Sequence, residues 1–304
     1  MSGSVDWGPL QTYLDNPEIN EIMVINEGEV WVEDIDGLQM VASINSKQTQ
    51  HCVEQIARSS GRRIDLMSPI LDARMSDGSR ACVVIPPIAV DGPTISIRKF
   101  SKRILPLASF GPAAATDIVK QLISTRANIV ISGATSSGKT SLLSSASQFF
   151  SPHERIVCVE DTSELRFAHS HVVALQTRQP NQEGSGAISM QSLVRTSLRL
   201  RPDRLIVGEV RGAEVIDMLL ALSSGHRGCW STVHSSSASE TISRLSALVL
   251  RDSPQWSSRQ SLQIIHSAID AVIHVERTSS HRRRICDIIQ LQPLGAVEHL
   301  YKVA

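Results

Sequence analysis

Short apolar runs separated by turn residues fill the first hundred positions and indicate a small unit rich in β-strands. The turn Asn26-Glu27-Gly28 lies between two alternating apolar runs, a pattern typical of a β-hairpin. Apolar residues at helical spacing over 48–60, followed by Gly61, predict a helix that ends at a glycine cap. The predicted strands lie at residues 21–25, 30–34, 38–42, 81–85 and 94–100.

From about residue 113 the pattern changes, and apolar strands alternate with helices. Such alternation predicts βαβ units around a mostly parallel sheet. The expected strands lie at residues 128–132, 155–160, 205–209 and 230–234. The expected helices lie at 116–126, 190–200, 214–223 and 240–250, and one more runs to residue 150. Residues 176–188 are polar and contain Gly and Pro, which predicts a long loop.

We therefore expect an α/β protein with two domains. Residues 1–100 form the smaller, α+β domain. The segment 101–112 shows little periodicity and contains Pro106, Gly111 and Pro112, so it is the expected linker. Residues 113–304 form the second domain.

Composition and charge narrow the class of protein. Lys plus Arg number 30 and Asp plus Glu number 30, and this zero net charge argues against an electrostatic nucleic-acid binder, although a local patch stays possible. The five cysteines are an odd number without a CxxC pair, so neither a disulfide framework nor a four-cysteine zinc site is expected. We see no signal peptide and no apolar stretch of about 18 residues, and we expect a cytoplasmic protein.

The strongest chemical signal is a phosphate-binding loop. Residues 133–140 read GATSSGKT, which fits G-x-x-x-x-G-K-[ST] between an expected strand and an expected helix. Lys139 is expected to reach the β and γ phosphates of ATP, and the Thr140 hydroxyl to bind Mg²⁺. The alternative is a small-residue turn that merely opens a helix. The residues expected to surround the phosphates are Gly133, Ala134, Thr135, Ser136, Ser137, Gly138, Lys139, Thr140 and Ser141.

Acidic residues follow two of the expected strands. The run LIVGE ends at Glu209, and the run RIVCVEDTSE supplies Glu160, Asp161 and Glu164. Ligands bind at the carboxyl ends of parallel strands, so these acids can hold magnesium or polarise the attacking water. The alternative is that these acids only cap helices or lie in loops, without a role in catalysis.

Two histidines stand in the segment GHRGCWSTVH. His234 ends an expected strand, where a neutral imidazole can donate to a phosphate oxygen, while His226 lies in a glycine-bounded turn. A lone histidine often has only a structural role. This alternative is stronger for His226 than for His234.

Taken together, the order of these motifs resembles the secretion ATPase superfamily, whose members power type II and type IV secretion, pili and conjugation. The stretches that match its Walker A, Asp box, Walker B and His box are GATSSGKT, ERIVCVEDTSEL, LRLRPDRLIVGEVRGAE and ALSSGHRGCWSTVHSSSASETISRL. Upstream, DNPEINEIMVINEGEVWVE, DGSRACVVIPP and PTISIRKF resemble the amino-terminal domain of its TrbB/CpaF branch. The resemblance covers roughly residues 10–290.

The resemblance implies a RecA-like P-loop ATPase domain behind a PAS-like amino-terminal domain. It implies that Glu160 activates water, that Glu209 is the Walker B acid and that His234 senses the γ-phosphate. Glu164 and Glu209, directly or through water, would join Thr140 around magnesium. Arg80 and Arg98 would reach the nucleotide from the amino-terminal domain. Four more arginines are expected near the site, with surface ion pairs as the alternative: Arg195, Arg199, Arg201 and Arg211.

The family further implies a homohexameric ring at the inner face of the cytoplasmic membrane. Its partners would be inner-membrane components of a secretion, conjugation or pilus system, and no sequence-specific nucleic acid is expected.

Two other functions remain as alternatives to the secretion ATPase. A RecA-like nucleic-acid motor could use the basic run His281-Arg282-Arg283-Arg284, although this run is expected in a hairpin near the carboxyl terminus and aromatic residues make up only 4% of the chain. A nucleotide-gated assembly factor would bind ATP without hydrolysing it.

Overall fold

The computed structural model describes residues 6–34, 36–100, 104–178, 180, 185–278, 282–292 and 295–303. The chain divides into two compact units, Met1–Arg103 and Ile104–Ala304. Each unit has its own sheet and helices, so the expected mixed α/β architecture is confirmed. Parts of the expected linker and of the loop at 176–188, as well as His281 of the basic run, lie outside the described residues.

The first unit is built on an antiparallel sheet of six strands in the order β3-β2-β1-β6-β5-β4. The strands are β1 (Glu21–Ile25), β2 (Glu29–Glu33), β3 (Leu38–Ser43), β4 (Ile70–Arg74), β5 (Arg80–Val84) and β6 (Thr94–Arg98). The helices are α1 (Gln11–Asp15) and α2 (Ser46–Ser60). Alternation along β1, β2, β5 and β6 buries every second side chain, as in a sheet with one covered face.

Helix α2 covers that face, and its ends are fixed by local hydrogen bonds. Asn45 and Gln48 form a reciprocal capping box at the start of the helix. Gly61 takes a left-handed φ of 65° at the other end, which confirms the predicted glycine cap. Cys52 and Ile56 of the buried helix stripe belong to the core of this unit.

The second unit is built on a sheet of eight strands in the order β14-β13-β12-β7-β11-β10-β8-β9. The six strands from β12 to β9 are parallel, and β13 and β14 continue the sheet in antiparallel pairing. The strands are β7 (Ile129–Gly133), β8 (Ile156–Glu160), β9 (Val172–Gln176), β10 (Arg204–Val207), β11 (Trp230–His234), β12 (Ala271–Arg277), β13 (Arg283–Leu291) and β14 (Val297–Lys302).

Helices cover both faces of this sheet. They are α3 (Ala113–Ser124), α4 (Lys139–Ala146), α5 (Met190–Ser197), α6 (Glu214–Ser223), α7 (Ala238–Asp252) and α8 (Ser258–Ala268). The core under α3 and α4 is separate from the core under the other four helices. All residues of β7, β8 and β10 are buried, as expected for parallel strands covered on both sides. The carboxyl ends of these strands therefore form one accessible edge.

Some elements differ from the sequence predictions. Helix α4 ends at Ala146 and a short 3₁₀ turn, Ser147–Phe149, completes the segment. Leu107 and Phe110, which fall within the expected linker, are buried in the core of the second unit. The strands β4, β9 and β14 and the helix α8 were not predicted, and of β12 and β13 only a hairpin around the basic run was expected. Within the described residues no helix has the length and apolar character needed to cross a bilayer.

A buried ion pair between Arg204 and Glu154 lies at the sheet edge where the parallel strands of the second unit begin. The Arg204 guanidinium, 2% exposed, donates to Glu154 Oε2 at 2.6 Å and to the Ile123 carbonyl at 3.0 Å. It also lies over the Phe150 ring, 4.4 Å from its centroid. This contact joins β10, α3 and the turn before β8.

Removal of the acid should therefore be costly. We expect Glu154→Ala to lower the free energy of unfolding of the second unit by about 3–5 kcal/mol, because it leaves the buried Arg204 charge without its carboxylate. Urea unfolding of the full chain measures the effect. The control Asp117→Ala removes an exposed pair with Lys120 and should change little. Equal effects of the two variants would contradict the importance of burial.

Candidate functional site

The loop between β7 and α4 is held in a conformation that needs glycine. Gly133 has φ 153° and Gly138 has φ 102°. A Cβ at Gly133 would lie 2.2 Å from the Val275 carbonyl oxygen, so no larger residue fits there. Ser136 also takes a left-handed φ of 59°. A residue with a Cβ adopts this conformation only at some conformational cost.

Lys139 makes several hydrogen bonds that hold the loop together. It opens α4 and is 7% exposed. Its Nζ donates to the carbonyl oxygens of Gly133, at 3.0 Å, and Ala134, at 2.7 Å, and lies 3.2 Å from His234 Nδ1. The ammonium group is thus enclosed by its own loop and by the end of the neighbouring strand.

His234 connects this lysine to an acid. It lies opposite Gly133 in the parallel pairing of β11 with β7. Its Nε2 lies 2.7 Å from Glu209 Oε1. Because the Lys139 ammonium can only donate, Nδ1 accepts and Nε2 carries the proton that is donated to Glu209. The result is a hydrogen-bonded chain from Lys139 through His234 to Glu209.

The pKa of His234 reflects this position. Burial lowers the pKa of the imidazole, and the Lys139 charge lowers it further, while the Glu209 carboxylate raises it. The neutral ring that this favours is the form that can accept from Lys139. Arg244 of α7 also lowers this pKa, and sequence reasoning missed it. Beside His234 a cleft of about 700 Å³ is lined by Ser235, Ser236, Glu240, Ser243 and Arg244.

Glu160 ends the neighbouring strand β8 and is 4% exposed. Its Oε1 accepts from the backbone N–H groups of Glu164, at 2.8 Å, and Leu165, at 2.9 Å. Burial raises the pKa of this carboxyl, although these N–H groups oppose the rise. A Cβ at Gly208 would lie 2.8 Å from Glu160 Cγ, so the glycine beside Glu209 lets the two strand ends approach. Sequence reasoning did not use Gly208.

The second acid of that segment, Asp161, is engaged by an arginine. Arg211 forms an ion pair with Asp161 Oδ2, and Thr177 Oγ1 donates to Asp161 Oδ1 at 2.6 Å. Arg251 donates to the Arg211 carbonyl oxygen at 3.0 Å. Arg211 therefore lies next to the edge that carries Glu160.

The other arginines are placed differently. Arg195 is exposed on α5 and pairs with Asp217 at 2.7 Å. The expectation that Arg199 and Arg201 lie near the loop is wrong within this chain. Both precede β10, and the carbonyl between them, that of Leu200, accepts from Arg155 just before β8 begins. They therefore lie at the edge where strands start, opposite the P-loop.

Arg80 and Arg98 belong to the first unit. They face each other directly across the pairing of β5 with β6, and both are exposed. They form a basic pair at one end of that sheet. His226 has a structural role in the second unit, since its Nδ1 lies 3.1 Å from the Ala221 carbonyl oxygen at the end of α6.

The loop residues fit a phosphate group and magnesium. Among the described residues, the Ser137 hydroxyl oxygen is buried and has no hydrogen-bond partner. A phosphate oxygen would supply that partner, and the N-terminus of α4 supplies N–H groups and a partial positive charge. Thr140, Glu209 and Glu164 offer the oxygen ligands that Mg²⁺ prefers.

Comparison with known proteins gives a consistent result. The family model described as "Type II/IV secretion system protein" matches residues 4–298. The putative conjugal transfer protein Rv3659c of Mycobacterium tuberculosis is 34% identical over 94% of this chain and 84% of its own length. The conjugal transfer protein TrbB of Rhizobium radiobacter is 31% identical over 92% of this chain and 85% of its own. The resemblance inferred from the motifs is thereby confirmed.

Solved structures agree on the fold. The VirB11 ATPase of the Brucella suis type IV secretion system, in complex with sulphate, covers 93% of this chain and 92% of its own at 25% identity and a TM-score of 0.53. The Legionella pneumophila ATPase DotB covers 93% of this chain and 80% of its own at 19% identity and a TM-score of 0.69.

The hydrogen-bonded chain makes a testable electrostatic prediction. In the nucleotide- and magnesium-free protein, Lys139→Met should raise the pKa of His234, because a charge that disfavours the imidazolium is removed. Glu209→Gln should lower it, because a favourable carboxylate is lost. NMR titration of the imidazole measures both shifts. Lys120→Met removes an exposed lysine of α3 as a control, and an unchanged pKa in Lys139→Met would contradict the contact.

Proposed function

The chain belongs to the type II/IV secretion system protein family, and on that premise we propose that it is an ATPase that powers a type IV secretion, conjugative transfer or Tad-type pilus machine. The observation that carries the proposal is the hydrogen-bonded chain from Lys139 through His234 to Glu209 beside a P-loop. It joins the group that binds phosphate to the acid expected at the magnesium and water positions. A merely structural loop has no need of such a connection.

Nucleotide binding would rearrange the lysine. The phosphates enter the loop at the N-terminus of α4, and the Ser137 hydroxyl gains its missing partner. Lys139 then leaves the carbonyl oxygens of Gly133 and Ala134 for the β and γ phosphates. Its hydrogen bond to His234 is lost or redirected in the same step.

Magnesium would be held by Thr140 and, directly or through water, by Glu209 and Glu164; when bound, it neutralises charge on the β and γ phosphates. Lys139 adds a second positive charge at the γ oxygens. His234, once released by Lys139, can donate toward the γ-phosphate instead of accepting from the lysine. The presence of the γ-phosphate would thus be passed on to Glu209.

Glu160 is the proposed base for the attacking water. Burial raises the pKa of this carboxyl, and a raised pKa makes a carboxylate a better proton acceptor near neutral pH. Two backbone N–H groups hold one oxygen of this carboxylate. The position of its second oxygen is therefore fixed as well. Because Gly208 has no side chain, Glu160 can pack against the end of β10, the strand that leads to Glu209.

The wider assembly belongs to the same proposal. The second unit would be a RecA-like ATPase domain, and the first a PAS-like domain whose Arg80 and Arg98 reach the nucleotide. Homohexameric rings in the cytoplasm would act on inner-membrane components of the machine and contact the membrane through them. A charge contributed by another domain makes hydrolysis depend on domain geometry, which lets turnover produce motion.

Phosphate release from Mg-ATP by the assembled full-length chain tests the activity. Lys139→Ala and Glu209→Gln should each reduce turnover by at least about 100-fold, since both remove charge stabilisation of phosphoryl transfer. Lys120→Ala should retain wild-type turnover, because Lys120 forms an exposed pair within α3. Full turnover in Lys139→Ala, or none in the assembled wild type, would contradict the proposal.

The arginine pair tests the contribution of the first unit. We expect Arg80→Ala and Arg98→Ala to lower kcat/KM for ATP by about tenfold each, because a cation near the phosphates is removed. Arg58→Ala, an exposed arginine of α2 in the same unit, is the control. Light scattering shows whether rings still form. Wild-type kinetics in both variants would remove these arginines from the site.

A further inference from the structure

The hairpin of β12 and β13 packs along one side of the P-loop. Strand β12 pairs in parallel with β7, the strand that leads into the loop. The Val275 carbonyl of β12 is the group that a Cβ at Gly133 would strike. The carboxyl-terminal part of the chain therefore forms a wall of the loop, although no phosphate-binding motif occurs in its sequence.

Arg283, the first residue of β13, extends this wall over Gly138. A Cβ at Gly138 would lie 2.5 Å from Arg283 Cδ and 2.9 Å from Cγ. The aliphatic stem of the arginine thus lies directly on the Gly138 backbone, and the side chain is half-buried. Gly138 has φ 102°, so glycine is favoured here for its backbone conformation.

Gly138 is the residue from which α4 starts, and this location decides which part of a nucleotide is close. The N–H groups at this end of a P-loop cradle the α and β phosphates, whereas the lysine reaches toward the γ-phosphate. A guanidinium whose stem rests on Gly138 is therefore carried on the α and β side of the loop. Lys139 and His234 occupy the other side, next to Gly133.

We propose that Arg283 is a nucleotide-binding residue that contacts the α or β phosphate from the β12–β13 hairpin. This assignment rests on the proposed function and adds a third source of positive charge to Lys139 and the N-terminus of α4. A planar guanidinium suits phosphate oxygens, which it can engage with two N–H groups at once. Because it does not face the γ-phosphate, Arg283 binds ATP and ADP alike.

Isothermal titration of the full-length chain with Mg-ADP and with a non-hydrolysable Mg-ATP analogue tests this role. Arg283→Ala should weaken the binding of both by about tenfold, with the ratio of the two Kd values unchanged. Arg283→Met keeps a stem over Gly138 without the charge and should bind as weakly as Arg283→Ala. Arg283→Lys should recover part of the affinity.

Arg284 supplies the matched control. It is the next residue of the same strand, its side chain points to the opposite face of the sheet, and it is exposed. Arg284→Ala should bind both nucleotides with wild-type Kd.

Wild-type affinity in Arg283→Met would overturn the assignment and reduce the contact to packing. A loss confined to the ATP analogue would overturn it as well, because it would place the charge at the γ-phosphate. A wild type that binds neither nucleotide would refute the proposed function itself, and this assignment with it.

Discussion

The burial of the Lys139 ammonium is the constraint on which the rest of the site depends. An isolated ammonium group away from water costs several kcal/mol, so it must be matched by oxygen or nitrogen acceptors. Two loop carbonyls and His234 supply them, and Glu209 in turn accepts from the histidine. On the proposed function, a phosphate group that enters the loop has to replace these acceptors.

The order of the strands makes this arrangement possible. Strand β7 has β11 on one side and β12 on the other. The first neighbour places His234 opposite Gly133, and the second places the Val275 carbonyl against the same glycine. One side of the loop thus receives a histidine connected to an acid, and the other receives a close-packed hairpin. Neither neighbour follows β7 in the sequence, so the fold has to form before the loop acquires its surroundings.

The sequence predicted what is local and left out what depends on distant pairing. The P-loop, the acids at strand ends and His234 could be found because each motif is contiguous and follows an apolar strand. Of strands β12–β14 only a hairpin was expected, because β12 finds its parallel partner β7 about 140 residues upstream, and no local pattern specifies that pairing. The same reason hid the contact of Arg283 with Gly138. Arg199 and Arg201 were misplaced because they are near Glu209 in sequence, while β10 carries the chain from one sheet edge to the other between them.

The two sides of the loop then divide the work of recognising a nucleotide. On the side of Gly133, Lys139 contacts His234, which contacts Glu209, and the proposed function requires these contacts to change when a γ-phosphate binds. On the side of Gly138, the aliphatic stem of Arg283 packs on the backbone. A phosphate group can bind there without displacing this stem. Affinity for the nucleotide can therefore come from the fixed side, which ATP and ADP share. On the proposed function, discrimination between them would fall to the side of Gly133, where the buried Lys139 charge would exchange its partners.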